Sequence, residues 1–515
     1  MSSTKTSQAN TDIFGYLSDF LAYLKSHILY TIGTYLFIIT LYGSWAFQDI
    51  VTFDEEGLYS AYNASIWYEQ WISLGRFSLV ALKRLLNVYV ISPFFSMTVF
   101  LLLFPLSVLL VNYCLYLWNQ RKDSPLASFL MLFVYLTHPI WALQFQYQNQ
   151  IEVISVIFCV LPIGMIALYD YLRTKRPPAG ILALLLLVFS FGGYQSFIFV
   201  YLELAVVMLL LMLDWAYISR REVWKDFLRI IFFTIIAFAI YEAIVIVTRR
   251  LFGSSVPYLN SQIEWKTQPF SECAAKTMQY LRKLFLGTDT YVYSKLFGLE
   301  ALLLLVWGCV LFIRKKKFSP ERLLLVLAWM ICPVLLGIVT TGNLVERAEF
   351  AFIFAIGSGC YLLFRSIDSQ NRYCKSILAL VLCLAVIRVQ MVPITRLLYT
   401  GSVTMRNDAR WMDSIYRLAE ENGAAPGDAI WFIGGQVNFD NGAAYSNEVI
   451  GISYFEITGF ATDKAVQAMQ DYGYNVCSPS QEQIEEASRL AQDMPNWPAR
   501  ESVQVKDHLI VVKMS

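Results

Sequence analysis

Charge is what this 515-residue chain has least of. Asp, Glu, Lys and Arg make up only 15% of it, against about a quarter of an ordinary soluble domain, so a soluble enzyme is disfavoured at the outset. Histidine is scarcer still, with His27, His138 and His508 far apart. Nine cysteines are present but none forms a Cys-x-x-Cys pair, and Cys477 stands alone after residue 405. Neither a zinc spacing nor a disulfide framework is therefore implied. No basic stripe with interleaved aromatics occurs, which removes the electrostatic footprint of a nucleic-acid binder. Heptads, solenoid repeats and low-complexity tracts are also missing. The polar start, Met1 to about Phe14, lacks the short basic head of a cleavable signal, and the first apolar run reads as a retained anchor.

What fills the chain instead is apolar. Hydrophobic residues reach 57%, with 36 Phe, 31 Tyr and 13 Trp, and disorder is excluded. A membrane span needs roughly 20 mostly apolar residues, since lipid satisfies no backbone polar group. Eleven candidates lie near 28–47, 92–117, 125–142, 151–169, 179–193, 196–214, 228–247, 296–313, 321–340, 346–364 and 376–394. Gly192-Gly193 marks either a tight turn between two short spans or a break within a longer one. Basic clusters fall in alternate connections: Arg121-Lys122, Arg173 to Arg176, 219–229, 314–317 and 365–375. By the positive-inside rule these are cytoplasmic, and so is segment 1–27. Arg249, Arg250, Arg347 and Arg396 are exceptions on the outer side.

The charge is divided along the chain. Residues 405–515 carry 16 acidic and 8 basic residues, a net of −8, while 1–404 carry a net of +9. The expectation is a polytopic α-helical membrane protein of about eleven spans over 28–400, with outer loops 48–91 and 248–295. A small extracytoplasmic mixed α/β domain follows over 405–515. Within it, 408–421, 462–472 and 480–494 read as helices, 428–433 and 508–514 as strands, and Gly434-Gly435 as a turn.

The sharpest polar signal is in the first outer loop, Asp54-Glu55-Glu56. An aromatic stretch from Tyr59 to Trp71 follows, suited to lying along the membrane interface, and then Gly75-Arg76. The bland reading is a hydrated loop with incidental charge. The chemical reading is a reaction on a lipid-borne substrate. A carboxylate such as Asp54 takes a proton from an acceptor hydroxyl, and the planar fork of Arg76 binds two oxygens of a departing phosphate. Three roles are open to Glu55 and Glu56: orienting Arg76, positioning a sugar hydroxyl, or, with Asp54, holding a divalent cation such as Mg or Mn. Lys83 and Arg84 read as interface anchors.

Other polar residues interrupt apolar runs. His138 closes the third span, and amides alternate with aromatics from Gln144 to Gln150, Gln146 among them, a composition suited to a sugar surface or to a wet loop. Tyr194-Gln195-Ser196 follows the double glycine. Glu203 needs a partner inside the bundle. Glu346 and Arg347 sit at the mouth of the ninth and tenth spans, and Arg388 lies within the eleventh. Arg347 and Arg388 rank below Arg76 as phosphate contacts. Loop 248–295 is a candidate lid.

The residues Asp54-Glu55-Glu56, Gly75-Arg76 and Tyr194-Gln195-Ser196 resemble the bacterial O-antigen glucosyltransferase family of serotype-converting gene clusters, within the membrane-embedded GT-C fold class. The resemblance covers most of 25–400. It implies a polyprenyl-phosphate-linked sugar as donor, a surface glycan as acceptor, and reaction at the outer face of the bacterial inner membrane. A separate donor synthase and a flippase are implied as functional partners. It also implies that Asp54, supported by Glu55 or Glu56, is catalytic or metal-binding, although Asp-Glu-Glu stands where many relatives of the wider fold have paired aspartates. Two rivals share the spans. A lipid-linked-sugar transporter or flippase requires no Asp54, and a surface-polysaccharide polymerase would centre on cationic outer loops.

Overall fold

The computed structural model describes residues 13–48, 52, 55–57, 68–86, 92–215, 218–253, 262–288, 292–315, 320–366, 372–436, 450–456 and 462–515. Asp54, Tyr62, Trp67 and Asp289 lie outside the described residues.

The body is a helical bundle. A short amphipathic helix α1 (Ile13–Ser26) buries Tyr16, Phe20 and Tyr23 against the bundle, Phe20 and Tyr23 packing on Tyr113. It leads into α2 (Ile28–Ala46). Next come α3 (Tyr68–Ser73), α4 (Phe77–Leu85), α5 (Pro93–Trp118), α6 (Pro125–Leu136), α7 (Ile140–Phe145), α8 (Ile151–Thr174), α9 (Pro177–Phe191), α10 (Phe197–Leu213) and α11 (Arg220–Phe252). Proline opens α5, α6 and α9 at their first turn, where its missing N–H costs nothing. Among the described residues six helical segments are long and apolar enough to cross a membrane: α2, α5, α8, α11, 320–339 and 373–421. Five shorter apolar helices, 125–136, 177–191, 197–213, 296–310 and 350–365, lie among them.

The basic connections meet at one end of this bundle. Arg121 pairs with Asp19, Arg173 with Asp226, and both Arg322 and Arg365 with Asp214. Arg365 also donates to Asn119 Oδ1 at 2.7 Å. Asp226 is buried and takes Arg229 as well, at 2.6 Å. The clusters read from sequence as lying on one side are therefore physically one layer. Glu203, buried on α10, accepts from Ser358 Oγ at 3.4 Å. Its partner belongs to a helix more than 150 residues away, as expected for a helix–helix contact inside the bundle.

At the opposite end, α12 (Phe270–Leu286) buries Cys273, Thr277, Tyr280 and Leu284, and Tyr280 packs against Gly337 and Gly342. α13 (Leu296–Lys315) and α14 (Pro320–Ile331) follow, and then the short α15 (Leu335–Val339). α16 (Phe350–Ser366) starts four residues later than the sequence suggested. Glu346–Ala348 forms a 3-10 turn before it.

α17 (Arg372–Val386), a π-turn at Ile387–Met391 and α18 (Val392–Glu421) make one continuous rod. The rod leaves the bundle and becomes the first helix of the C-terminal unit. There β1 (Ala429–Ile433) pairs in parallel with β3 (Leu509–Lys513), and β2 (Val503–Lys506) pairs antiparallel with β3, in the order β1-β3-β2. α19 (Thr462–Asp471) and α20 (Gln481–Leu490) pack on this sheet. Val466 and Met469 join Ile430, Phe432, Ile510 and Val512 in one core with Met412 and Ile415 of α18. β2 is a strand beyond those expected.

Candidate functional site

The site is assembled around one short segment, 146–150, between α7 and α8. Every residue of it is buried. The acidic loop meets it from one side. Glu55 Oε1 accepts from the Asn149 N–H at 2.6 Å, and Glu55 Oε2 accepts from Thr52 Oγ1 at 2.6 Å. Thr52 Oγ1 also reaches the Gln146 carbonyl at 3.0 Å. Arg76 meets the segment from another side, donating from Nη1 to Gln150 Oε1 at 2.9 Å, with its guanidinium 4.1 Å from the centre of the Tyr194 ring. Arg347 comes from the third, stacked 4.3 Å from the centre of the Tyr147 ring. Planar guanidinium groups over aromatic faces are held without being neutralised.

Local sequence explains why Arg76 arrives there. Gly75 has φ +76°, and a Cβ at that position would lie 2.6 Å from Tyr241 Oη and 3.1 Å from Gln195 Nε2. Only glycine takes both the left-handed turn and the close approach. At the double glycine, a Cβ on Gly192 would collide with Phe77 and Ser78, and one on Gly193 with Ile157. The Ser78 N–H donates to the Gly192 carbonyl at 2.8 Å. The two motifs Gly75-Arg76 and Gly192-Gly193-Tyr194-Gln195 are thus halves of one contact, and the double glycine is a turn between α9 and α10.

Beneath Arg76, Lys83 on α4 and Glu152 on α8 form an ion pair with both side chains fully buried. The same Lys83 ammonium lies 5.5 Å from the centre of the Trp71 ring. This corrects the reading of Lys83 as an interface anchor. α4 turns it inward because its partner carboxylate is inside the bundle. Tyr68 and Trp71 are buried too, so the described end of the aromatic stretch packs on the protein rather than along the membrane surface.

Several buried polar atoms of this region find no hydrogen-bond partner among the described residues: His138 Nε2, both amide atoms of Gln144, Gln146 Oε1, Gln148 Oε1, Asn149 Oδ1 and Glu152 Oε2. His138 itself packs edge-on to Phe352, and its Nδ1 accepts only a long 3.3 Å bond from the Ile140 N–H. Unpaired buried polar atoms cost about 1–3 kcal/mol each, so their concentration here singles out the region chemically.

The outer mouth has its own cluster. Glu346 pairs with Lys283 at 3.3 Å. Glu349, one residue ahead of α16, is buried and accepts from the hydroxyls of Tyr280 and Tyr293. Burial pushes its carboxyl up to about 8, against the opposing pull of those two hydroxyls. Beside it opens a polar cleft of about 350 Å³, with Glu264, Lys276, Tyr280, Asn343 and Glu346 on its walls.

Arg388 is exposed on the π-turn and is not drawn into the assembly around 146–150. Glu56 and Gly57 face the C-terminal unit. Glu56 pairs with Lys464, and the Gly57 N–H donates to Asp471 Oδ2 at 2.6 Å. Glu55 and Glu56 thus turn to different partners. Among the described residues no group of three or more His, Cys, Asp or Glu is gathered for a metal ion. Lys464 and Asp471 are members of this assembly that the sequence reading did not assign. Nothing local to their stretches of chain marks Lys464 or Asp471.

A helical membrane body with its polar groups gathered at one mouth suits chemistry on a lipid-borne substrate, and comparison with known families establishes the class: this is a membrane-embedded glycosyltransferase. More particularly, the chain belongs to the glucosyl transferase GtrII family, whose model matches residues 43–364. No curated protein and no solved structure matches it. The matched segment contains the acidic loop, Gly75-Arg76, His138, segment 146–150, Tyr194-Gln195 and Arg347. It leaves out Arg388, the rod and the C-terminal α/β unit.

Proposed function

We propose that this enzyme transfers a hexose, glucose, from a polyprenyl-phosphate donor to a cell-surface glycan such as O-antigen, at the outer face of the bacterial inner membrane. The observation that carries the reading is the convergence of the acidic loop, Arg76 and Arg347 on the single buried segment 146–150. The acidic loop and the two guanidinium groups then meet one segment, and a one-step transfer needs its reacting groups held together. Asp54, next in chain to Glu55, takes the proton from an acceptor hydroxyl. The acceptor oxygen bonds to the anomeric carbon while the bond from that carbon to the phosphate oxygen breaks, with inversion. Arg76, and behind it Arg347, take up the charge on the departing lipid phosphate.

The amides of Gln144, Gln146, Gln148 and Asn149, with His138 below, are the hydrogen-bonding groups offered to the sugar. Tyr194 and Gln150 hold Arg76 in place. The polar cleft beside Glu346 is the approach for the glycan acceptor, under the cover of α12. A donor synthase and a flippase supply the lipid-linked sugar, and no step is routed through a divalent cation.

The test is release of free polyprenyl phosphate from polyprenyl-phosphate glucose by the purified protein with its glycan acceptor. Asp54→Ala should cut turnover by about 10²–10⁴-fold, the usual yield of a positioned base. Arg76→Ala should lower donor use without changing acceptor preference. Full activity in Asp54→Ala, or passage of the sugar-lipid across a vesicle without cleavage, refutes the reading.

A further inference from the structure

The turn between α7 and α8 lies between two separate cores. Phe145 before it and Ile151 after it belong to the core of the helical bundle. Tyr147, between them, does not. It is 5% exposed and joins Met405 and Met412 of α18, with Tyr454 and Phe455, in the core of the C-terminal unit. Two backbone bonds fix where the ring leaves the chain. The Tyr147 N–H donates to the Gln144 carbonyl at 3.2 Å, and the Tyr147 carbonyl accepts from the Gln150 N–H at 3.3 Å. A ring packed into a core in this way is held in one rotamer. The C-terminal unit therefore reaches the assembly around 146–150 through an aromatic ring as well as through the acidic loop.

The face of that ring carries Arg347, whose guanidinium lies 4.3 Å from the ring centre. The backbone of Arg347 is fixed from a different direction. It lies in the Glu346–Ala348 turn, where Glu346 pairs with Lys283 of α12 and the nearby Glu349 accepts from Tyr280 and Tyr293. Between this anchored backbone and the guanidinium lie the rotatable bonds of a long side chain, with large rotamer freedom to lose. The flat π-face of Tyr147 favours one course for it. Residues 147 and 347 lie within the stretch matched by the family model, whereas the core behind Tyr147, at 405–455, lies beyond it.

We propose that Tyr147 is a positioning residue: seated in the core of the C-terminal unit, it holds the Arg347 guanidinium where the lipid phosphate is received. It acts on the phosphate through Arg347 and not by a contact of its own. The part played by Arg347 rests on the transfer reaction proposed above, but the seating of Tyr147 and its stack on Arg347 do not. The C-terminal unit thereby serves both halves of the site, the acidic loop through Lys464 and the phosphate contact through Tyr147. Loss of the ring's face, with apolar bulk kept, costs affinity for the phosphate, and loss of the phenol hydroxyl alone does not.

The experiment uses the full chain in nanodiscs of neutral phospholipid and reads the affinity for radiolabelled polyprenyl phosphate. Tyr147→Leu should weaken binding about five- to tenfold, as expected for loss of a desolvated cation–π contact, and Tyr147→Phe should bind like wild type. In an Arg347→Ala background, Tyr147→Leu should add less than about twofold, since a residue that acts through another has no effect once that other is gone. Misfolding lowers the number of binding sites and leaves the affinity of the rest unchanged, so affinity and site count are read together. Tyr147→Met, whose unbranched chain fills irregular gaps, takes the place of the leucine variant if that one yields no sites. Unchanged affinity in the leucine or methionine variant, an equal loss in Tyr147→Phe, or the same loss with and without Arg347 overturns the proposal. If Arg347→Ala alone binds like wild type, Arg347 is no phosphate contact and the inference falls with it. A protein that shows the expected dependence on Tyr147 and Arg347, yet releases no polyprenyl phosphate from polyprenyl-phosphate glucose, refutes the transfer reaction and leaves the inference standing.

Discussion

At the scale of single residues, the site depends on charges held where no water reaches them. Lys83 and Glu152 are both fully buried, and a buried ion pair is worth little net, but breaking it leaves an uncompensated charge. Lys83→Met should therefore destabilise the protein by about 3–5 kcal/mol, and adding Glu152→Gln should recover most of that. Thermal unfolding of the two variants beside wild type measures it. A single mutant as stable as wild type shows that the pair is solvated. Arg76 is a different case. Its fork is held by Gln150 and the Tyr194 face, neither of which carries charge. Gly75-Arg76 and Tyr194-Gln195 were legible in the sequence as separate motifs. Their contact was not, because it depends on which helices of the bundle are neighbours.

At the scale of elements, the acidic loop is gripped from outside the membrane body. α19 presents Lys464 to Glu56 and Asp471 to the Gly57 N–H, so a helix about 400 residues further along the chain holds the loop that carries Asp54. Lys464→Glu should lower turnover at least tenfold, with KM for the donor changed much less, since it displaces the loop without touching the phosphate seat. Lys464→Arg should retain activity. In the charge swap Glu56→Lys with Lys464→Glu, activity should return if Glu56 serves only as the tether. If the swap fails while Lys464→Arg works, Glu56 has a chemical role of its own.

Elements also show where a sequence misleads. β2 escaped notice because its turn is Asp507-His508, both at positive φ, and this pair lacks the glycine that usually advertises a two-residue hairpin. The expected helix 408–421 proved to be the outer part of a rod that starts before residue 392. Pro393 sits early in it, right after the π-turn, where a break in the pattern was natural to read as an end.

At the scale of the whole molecule, the charge division between body and tail predicts an orientation. The basic connections form one layer, and the rod carries the acidic C-terminal unit away from the other end. Cys477 is exposed in that unit, while Cys374 is exposed at the start of α17. With Cys309 and Cys374 replaced by serine, a membrane-impermeant maleimide should label Cys477 with only the outer membrane opened. Labelling that appears only after the inner membrane is broken reverses the assignment.

The chain by itself determined that the protein is a many-helix membrane body with a small α/β appendage, and it marked the acidic loop, Arg76, Arg347 and the amide-rich segment as its polar points. Those features are local, since hydrophobic length and loop charge are written in consecutive residues. Only the tertiary structure decided that these points meet at segment 146–150 while Arg388 stays outside. It also decided that Lys83 faces inward and that the appendage grips the acidic loop through Lys464 and Asp471. Each of these depends on pairing between helices distant in sequence, and hydrophobic patterning specifies that a face is buried but not which partner buries it.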